Sequence, residues 1–228
     1  MTKPTPKKLI PIIIGAIVII ALIVLYFALR DPEVVAQNKA KRIATRYLHE
    51  KYGVSLEADS VTGGLMRGAE YSVHFKVSEN RAFLAGVDLD TKDVVYESYV
   101  KTYILDQFEK AYVDELKTYW DSDAKIEFDS YIMYANDKFL MKDKSINMER
   151  AKSLEKYNLR VVTDNPDKKD MADSIYKSLV YLKHNDVIIK DFYIADSSGF
   201  AELKHYVLED VDQYKDTDEI LEALEKQN

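Results

Sequence analysis

Apolar positions along this chain follow three different periods, and each predicts a different kind of element. From Leu9 to Leu29 there are 21 consecutive uncharged residues, 15 of them Ile, Leu, Val or Phe. At about 1.5 Å per residue a helix over this run covers ~30 Å, the thickness of a bilayer's hydrocarbon core. Pro11 and Gly15 fall in its first turns, where they cost a helix least. The run predicts one transmembrane helix at 9–29. Lys3, Lys7 and Lys8 precede it and Arg30, Asp31 and Glu33 follow it. The positive-inside rule therefore keeps residues 1–8 in the cytoplasm and sends the remainder across. A cleaved signal peptide has an apolar region of about 7–15 residues ending at a small-x-small site. Here charged residues follow the run at once and Val34-Val35-Ala36 is a poor cleavage site, so a retained single-pass anchor is expected.

A helical period opens at Asp31-Pro32, with Ala40, Ile43, Ala44, Tyr47 and Leu48 on one face, and Gly53 closes it. Alternation with period two then predicts four strands near 54–61, 70–78, 82–89 and 94–100, an antiparallel meander. Tyr71, Val73, Phe75 and Val77 alternate there with Ser72, His74, Lys76 and Ser78. A broad apolar stripe of Ile104, Leu105, Phe108, Ala111, Tyr112, Leu116 and Tyr119 predicts a helix at 102–120. That helix is expected to cover the Tyr71-Val73-Phe75-Val77 face of the sheet. A strand with Ile126, Phe128, Ile132 and Tyr134 on one face follows. The polar, Lys-rich residues 135–148 then mark the expected boundary between an α+β unit at 31–134 and a second one at 146–228. In the second unit the pattern predicts a helix around 147–157, a strand at 158–163, a helix at 168–184, strands near 186–195 and 200–209, and a helix from 217. The expected fold class is α+β: a transmembrane helix followed by antiparallel sheets packed against helices.

Charge narrows the partners. All 39 acidic residues lie beyond residue 30, while Lys3, Lys7, Lys8 and Arg30 take four of the 32 basic ones, leaving −11 on residues 31–228. Such a surface is repelled by nucleic acid and by anionic head groups, so the membrane anchor apart, the expected partner is a protein or peptide. The chain has no cysteine, which excludes disulfides, thiolate catalysis and cysteine-bound zinc. Abundant Lys, Asp, Ile and Tyr without cysteine is a composition associated with Gram-positive bacteria.

Motifs that carry chemistry are scarce. His49, His74, His184 and His205 are scattered, with no HExxH, P-loop or GxGxxG pattern. The tetrads Ser153-Leu-Glu-Lys156 and Ser174-Ile-Tyr-Lys177 have the Ser-x-x-Lys spacing of penicillin-binding enzymes. Both lie on expected amphipathic helices, and the Lys-Thr-Gly element that must accompany them is missing. Asp88, Asp90 and Asp93 are spaced like the start of a calcium loop, but Asp93 and Tyr99 stand where an EF-hand needs Gly and Glu. A hairpin turn explains them better. No catalytic residue, metal ligand or cofactor is therefore expected. The least ordinary feature is 17 tyrosines against one tryptophan. Tyrosine combines apolar area with a polar tip and suits binding grooves as well as half-buried sheets. Tyr96, Glu97 and Tyr99 are the candidate binding residues, on a groove where the first sheet stays uncovered. Tyrosine with carboxylate suits a cationic peptide, and Tyr96→Ala is expected to weaken its capture while leaving the melting temperature nearly unchanged.

Residues 40–99 resemble the PepSY-type unit of exported bacterial proteins. The resemblance rests on Ile43-Ala44-x-x-Tyr47-Leu48 before Gly53, on Tyr71-Ser-Val73-His-Phe75, and on Val87-Asp88-Leu-Asp90-Thr-Lys-Asp93-Val94. Lys92 stands where that family usually has Gly. The resemblance implies a small α+β unit that binds peptides or modulates proteases and envelope enzymes, and it brings no catalytic residue. The expected function is a membrane-tethered extracytoplasmic binding or regulatory module. The alternatives are a structural subunit of a secretion- or conjugation-like complex, and a hydrolase without a familiar motif.

Overall fold

The computed structural model describes residues 17–20, 31–63, 68–121, 123–130, 140–154, 156–164, 167–196 and 204–227. Most of the expected membrane helix lies outside the described residues. Its residues 17–20 are helical, with the side chains of Ile17, Val18, Ile19 and Ile20 all exposed. Among the described residues no helix is long and apolar enough to cross a membrane.

Helix α1 spans Pro32–Tyr52. The Asp31 carboxylate accepts from the Glu33 N–H at 2.9 Å and Pro32 occupies the first turn, a start that satisfies an otherwise orphaned donor. Gly53 ends the helix with φ +70°, its N–H bonded to the His49 carbonyl, a left-handed conformation that glycine adopts without strain. Four strands follow: β1 (Ala58–Gly63), β2 (Tyr71–Lys76), β3 (Ala82–Asp88) and β4 (Asp93–Glu97), paired antiparallel in chain order. Val73, Phe75, Phe83, Ala85 and Val87 are buried on one face. The cover of that face differs from expectation. Helix α1 lies across all four strands with Ala40, Ile43, Ala44, Leu48 and Tyr52 buried, whereas helix α2 (Tyr99–Leu116) reaches this sheet at β3 and packs mainly on strand β5 (Lys125–Ser130). Alanines at 40 and 44 let α1 sit close to the sheet, and the stripe of α2 is broad because it serves two sheets.

The second sheet has the order β10-β9-β8-β5. Its strands β8 (Tyr157–Thr163), β9 (Ile189–Asp196) and β10 (Lys204–Leu208) come from the C-terminal half, joined by α4 (Lys168–His184) and closed by α5 (Thr217–Glu225). A small β6–β7 hairpin (Met141–Lys142, Ser145–Ile146) and helix α3 (Met148–Leu154) lead into β8. Strand β5, assigned from sequence to the first half, pairs with β8, placing Ile126 opposite Val161 and Phe128 opposite Leu159. Ile132 and Tyr134 of the expected longer strand lie outside the described residues. Pairing is antiparallel except at β8 and β9, which run parallel because α4 carries the chain back to the same end of the sheet. The fold is thus α+β, with helices packed on both sheets. Buried residues of the two sheets form one continuous core. Helix α2 touches both sheets, at β3 and at β5, and its Phe108 ring lies 5.7 Å from Phe128 and 4.7 Å from Tyr157 of the second.

Candidate functional site

The three residues singled out from the sequence do not share a surface. In β4, Tyr96 stands opposite Gly86 and Glu97 opposite Ala85, so the pleat aims them to opposite faces. Tyr96 is 41% exposed, whereas Tyr99 is 5% exposed and the Glu97 side chain 6%. Glu97 accepts from Lys51 Nζ at 3.0 Å, from the Tyr99 N–H at 2.6 Å and from the Tyr52 hydroxyl. Tyr99 packs its ring 4.9 Å from Tyr52 and 5.5 Å from Phe83. Burial first, then the neighbouring Tyr103 and Glu97, raises its phenol pKa above the usual value. Glu97 and Tyr99 therefore lock the end of α1 to the start of α2, and only Tyr96 remains available on the surface.

The Asp88–Asp93 segment is the expected hairpin turn. Asp88 Oδ1 accepts from the N–H groups of Asp90 at 2.8 Å and Thr91 at 3.2 Å, which holds its carboxyl below the usual carboxylate range. Glu70, Asp88 and Asp90 bring oxygens within 4.8 Å of one another, the one group among the described residues with the donor set for a cation. Glu70 is itself committed to the Leu89 N–H at 3.0 Å, and the group is read as turn structure. Neither Ser-x-x-Lys tetrad forms a nucleophile–base pair: Ser153 Oγ donates to the Arg150 carbonyl at 3.3 Å, Lys156 faces Asp212 at 3.8 Å and Lys177 pairs with Asp173 at 2.6 Å.

A cleft of about 760 Å³ opens where the β2–β3 hairpin meets α2 and β5. Four of its charged side chains are paired within the fold, Arg81 with Glu109 and Lys110 with Asp106. Arg81 grips Glu109 through Nε at 3.0 Å and Nη2 at 2.5 Å and also donates to the Phe128 carbonyl at 2.5 Å. Asp106, buried, accepts from Lys110 Nζ at 2.7 Å and Gln107 Nε2 at 3.2 Å. Burial is the largest single influence on Asp106 and raises its pKa, but Lys110, Ser78 and Gln107 together outweigh it and the net shift is downward. A depressed folded pKa stabilises the native state above the ordinary carboxyl value of about 4 and loses that contribution as pH falls through the folded value. Asp106→Asn is thus expected to lower the melting temperature most at pH 7, with the gap to the parent chain closing below about pH 4. A gap independent of pH would remove Asp106 from the acid-sensitive groups.

The second cleft has a different character. About 650 Å³ lies between one flank of α1 and the chain entering β1, lined by Lys41, Arg42, Thr45, Arg46 and His49 and faced by Ser55, Leu56, Glu57 and Ala58. Spacings of three and four residues stack these helix side chains on one side. Arg42, Arg46 and His49 are exposed. Arg46 only approaches Glu50, at 4.0 Å, and His49 Nδ1 lies 3.5 Å from Ser55 Oγ. Among the described residues Lys41 and Arg42 have no hydrogen-bond or ion-pair partner. On an acidic domain this is a local reversal of charge. The sequence carries a signal in the spacing of Lys41, Arg42, Arg46 and His49, which lie off the apolar face of the expected helix.

No protein-family model matches the chain, and no curated protein matches it. Among solved structures the chain is similar to the crystal structure of a DUF5037 family protein from Ruminococcus gnavus ATCC 29149, at 11% identity and a TM-score of 0.44, over 82% of this chain and 99% of that one.

Proposed function

We propose that the chain is a membrane-tethered module that binds a protein or peptide at the outer face of the membrane. The observation that carries the reading is the division of its charges. Buried Glu97 is spent on Lys51 and Tyr52 of α1 and buried Asp106 on Lys110 of its own helix, whereas Lys41 and Arg42, without a partner among the described residues, stand on the open α1–β1 cleft. An enzyme site would instead gather perturbed titratable groups in one cleft. The anchor is residues 9–29, flanked by Lys on the cytoplasmic side. Exposed aliphatic side chains on the helical residues 17–20 support it, since lipid is the solvent such a surface suits. Helix α1 starts at Pro32 with its own cap, with only Arg30 and Asp31 between it and the end of the proposed anchor at Leu29, which supports a cleft that works close to the membrane. The likeness of residues 40–99 to PepSY-type units points toward the same kind of module. The acidic balance of residues 31–228 disfavours nucleic acid.

Protease added outside intact protoplasts is expected to degrade residues 31–228 while leaving the N-terminal segment with the membrane. Complete protection of the domain would overturn the orientation and the reading that depends on it.

A further inference from the structure

Strand β1 is an edge. It pairs with β2 on one side, and among the described residues no strand pairs with its other side. An edge strand presents a row of unpaired N–H and C=O groups, a template for another strand. Asp59, Ser60, Thr62 and Gly63 are exposed along it. The register shifts between Ala58 and Ser60, and Asp59, at that bulge, is held by Lys76 of β2 at 3.4 Å. The cleft lined by Lys41, Arg42 and Arg46 lies directly beside the start of this edge, with the half-buried Leu56 in its wall. The opposite edge, β4, has no cation in its own sequence and runs at once into α2.

We propose that the β1 edge captures an extended acidic segment of another protein, added as a fifth strand to the first sheet. The inference rests on the reading of the chain as a peptide-binding module and names that module's site. Backbone pairing along β1 supplies affinity without regard to sequence. Successive side chains of the guest alternate between the two faces of the sheet. One set therefore faces the side of α1 that carries Arg42, Arg46, Lys41 and His49, and carboxylates at those alternate positions pair with Lys41 and Arg42, which have no partner among the described residues. Glu57 in the same cleft disfavours a second carboxylate beside it and helps fix the register. An anionic lipid head group would use the cations but leaves the strand edge unused, which is why a peptide is the better occupant.

The test uses the full chain in nanodiscs of zwitterionic phosphatidylcholine and a fluorescent octapeptide of alternating Glu and Val. Only alternate residues of an added strand turn their N–H toward the neighbouring strand. N-methylation of one alternate set is therefore expected to weaken binding at least tenfold, while methylation of the other set leaves it within about twofold. The Arg42→Glu/Arg46→Glu variant, both positions being exposed, is expected to keep its melting temperature and to bind the acidic peptide at least tenfold more weakly. An octapeptide of alternating Lys and Val is expected not to bind. Equal binding of both methylated peptides would overturn the proposal in favour of charge capture alone, and undiminished binding by the double variant would place the peptide elsewhere. Association of the full chain in its phosphatidylcholine nanodiscs with phosphatidylglycerol vesicles, lost in the double variant and accompanied by no peptide binding, would overturn it in favour of a lipid surface. In cells the same variant separates the two levels. A cross-linked partner retained by Arg42→Glu/Arg46→Glu overturns the edge site and leaves the module reading standing. A domain protected from protease in protoplasts overturns the module reading, whatever the octapeptide does.

Discussion

Truncating Tyr99 to alanine is expected to cost about 3–5 kcal/mol of stability, while the same change at Tyr96 is expected to cost less than about 0.5 kcal/mol. The two tyrosines are three residues apart, yet the chain turns from strand to helix between them. Tyr99 opens α2 with its ring against Tyr52, Phe83 and Tyr103, and its N–H satisfies the buried Glu97 carboxylate. Its removal leaves a cavity at the point where α1, β3 and α2 meet, and the surrounding rings relax into it only in part. Tyr96 projects from the other face of β4 and is 41% exposed, so its truncation meets solvent rather than leaving an enclosed cavity. Denaturant titration followed through Trp120 resolves the difference. That indole is packed 5.9 Å from Phe192 and donates to Ser178 Oγ at 3.0 Å, so its emission reports the folded core. Equal losses at the two positions would show that Tyr96 is also interior.

What the sequence disclosed was local. Asp31-Pro32 and Gly53 bracket α1 because caps are read within one turn of the helix they end. Strands β2 and β3 fall within two residues of their expected limits because alternation is a property of neighbours. Periodicity shows that a face is buried and is silent on what covers it. The cover of the first sheet was therefore assigned to the helix with the broadest stripe, and α1 with its alanines took that place. The partner of β5 could not be read either, since Phe128 finds Leu159 across a long intervening segment. The candidate trio does not share a surface, for two distinct reasons. Tyr96 and Glu97 are neighbours in a strand and so cannot share a face. Burial of Glu97 depends on Lys51, a residue 46 positions earlier. A carboxylate in a strand next to tyrosines looks like a groove until a cation from another element is placed on it.

A comparable long-range pair supports the last prediction, at the junction of the two sheets. Arg81 leaves the β2–β3 hairpin, binds Glu109 of α2 with two hydrogen bonds and reaches the Phe128 carbonyl of β5. Burial, the largest single influence on its guanidinium, lowers the pKa, and the Glu109 carboxylate with Glu127 and Asp129 more than reverses this, so the shift is upward. Arg81→Met preserves much of the stem's packing but strips Glu109 of its partner and leaves the Phe128 carbonyl without this donor. Removing one member of a fully buried ion pair costs about 3–5 kcal/mol. Both side chains here remain about one-fifth exposed, so water recovers part of that and a loss of about 2–3 kcal/mol is expected. Adding Glu109→Leu removes the stranded charge, and the double variant is expected to be less destabilised than the sum of the single ones by about 1–3 kcal/mol. A double-mutant cycle by denaturant titration measures this coupling. Strict additivity would mean that Arg81 and Glu109 do not stabilise the fold through each other, leaving the Phe128 carbonyl as the polar contact of Arg81. A positive coupling instead ties the β2–β3 hairpin of the first sheet to α2, the helix that packs on β5 of the second.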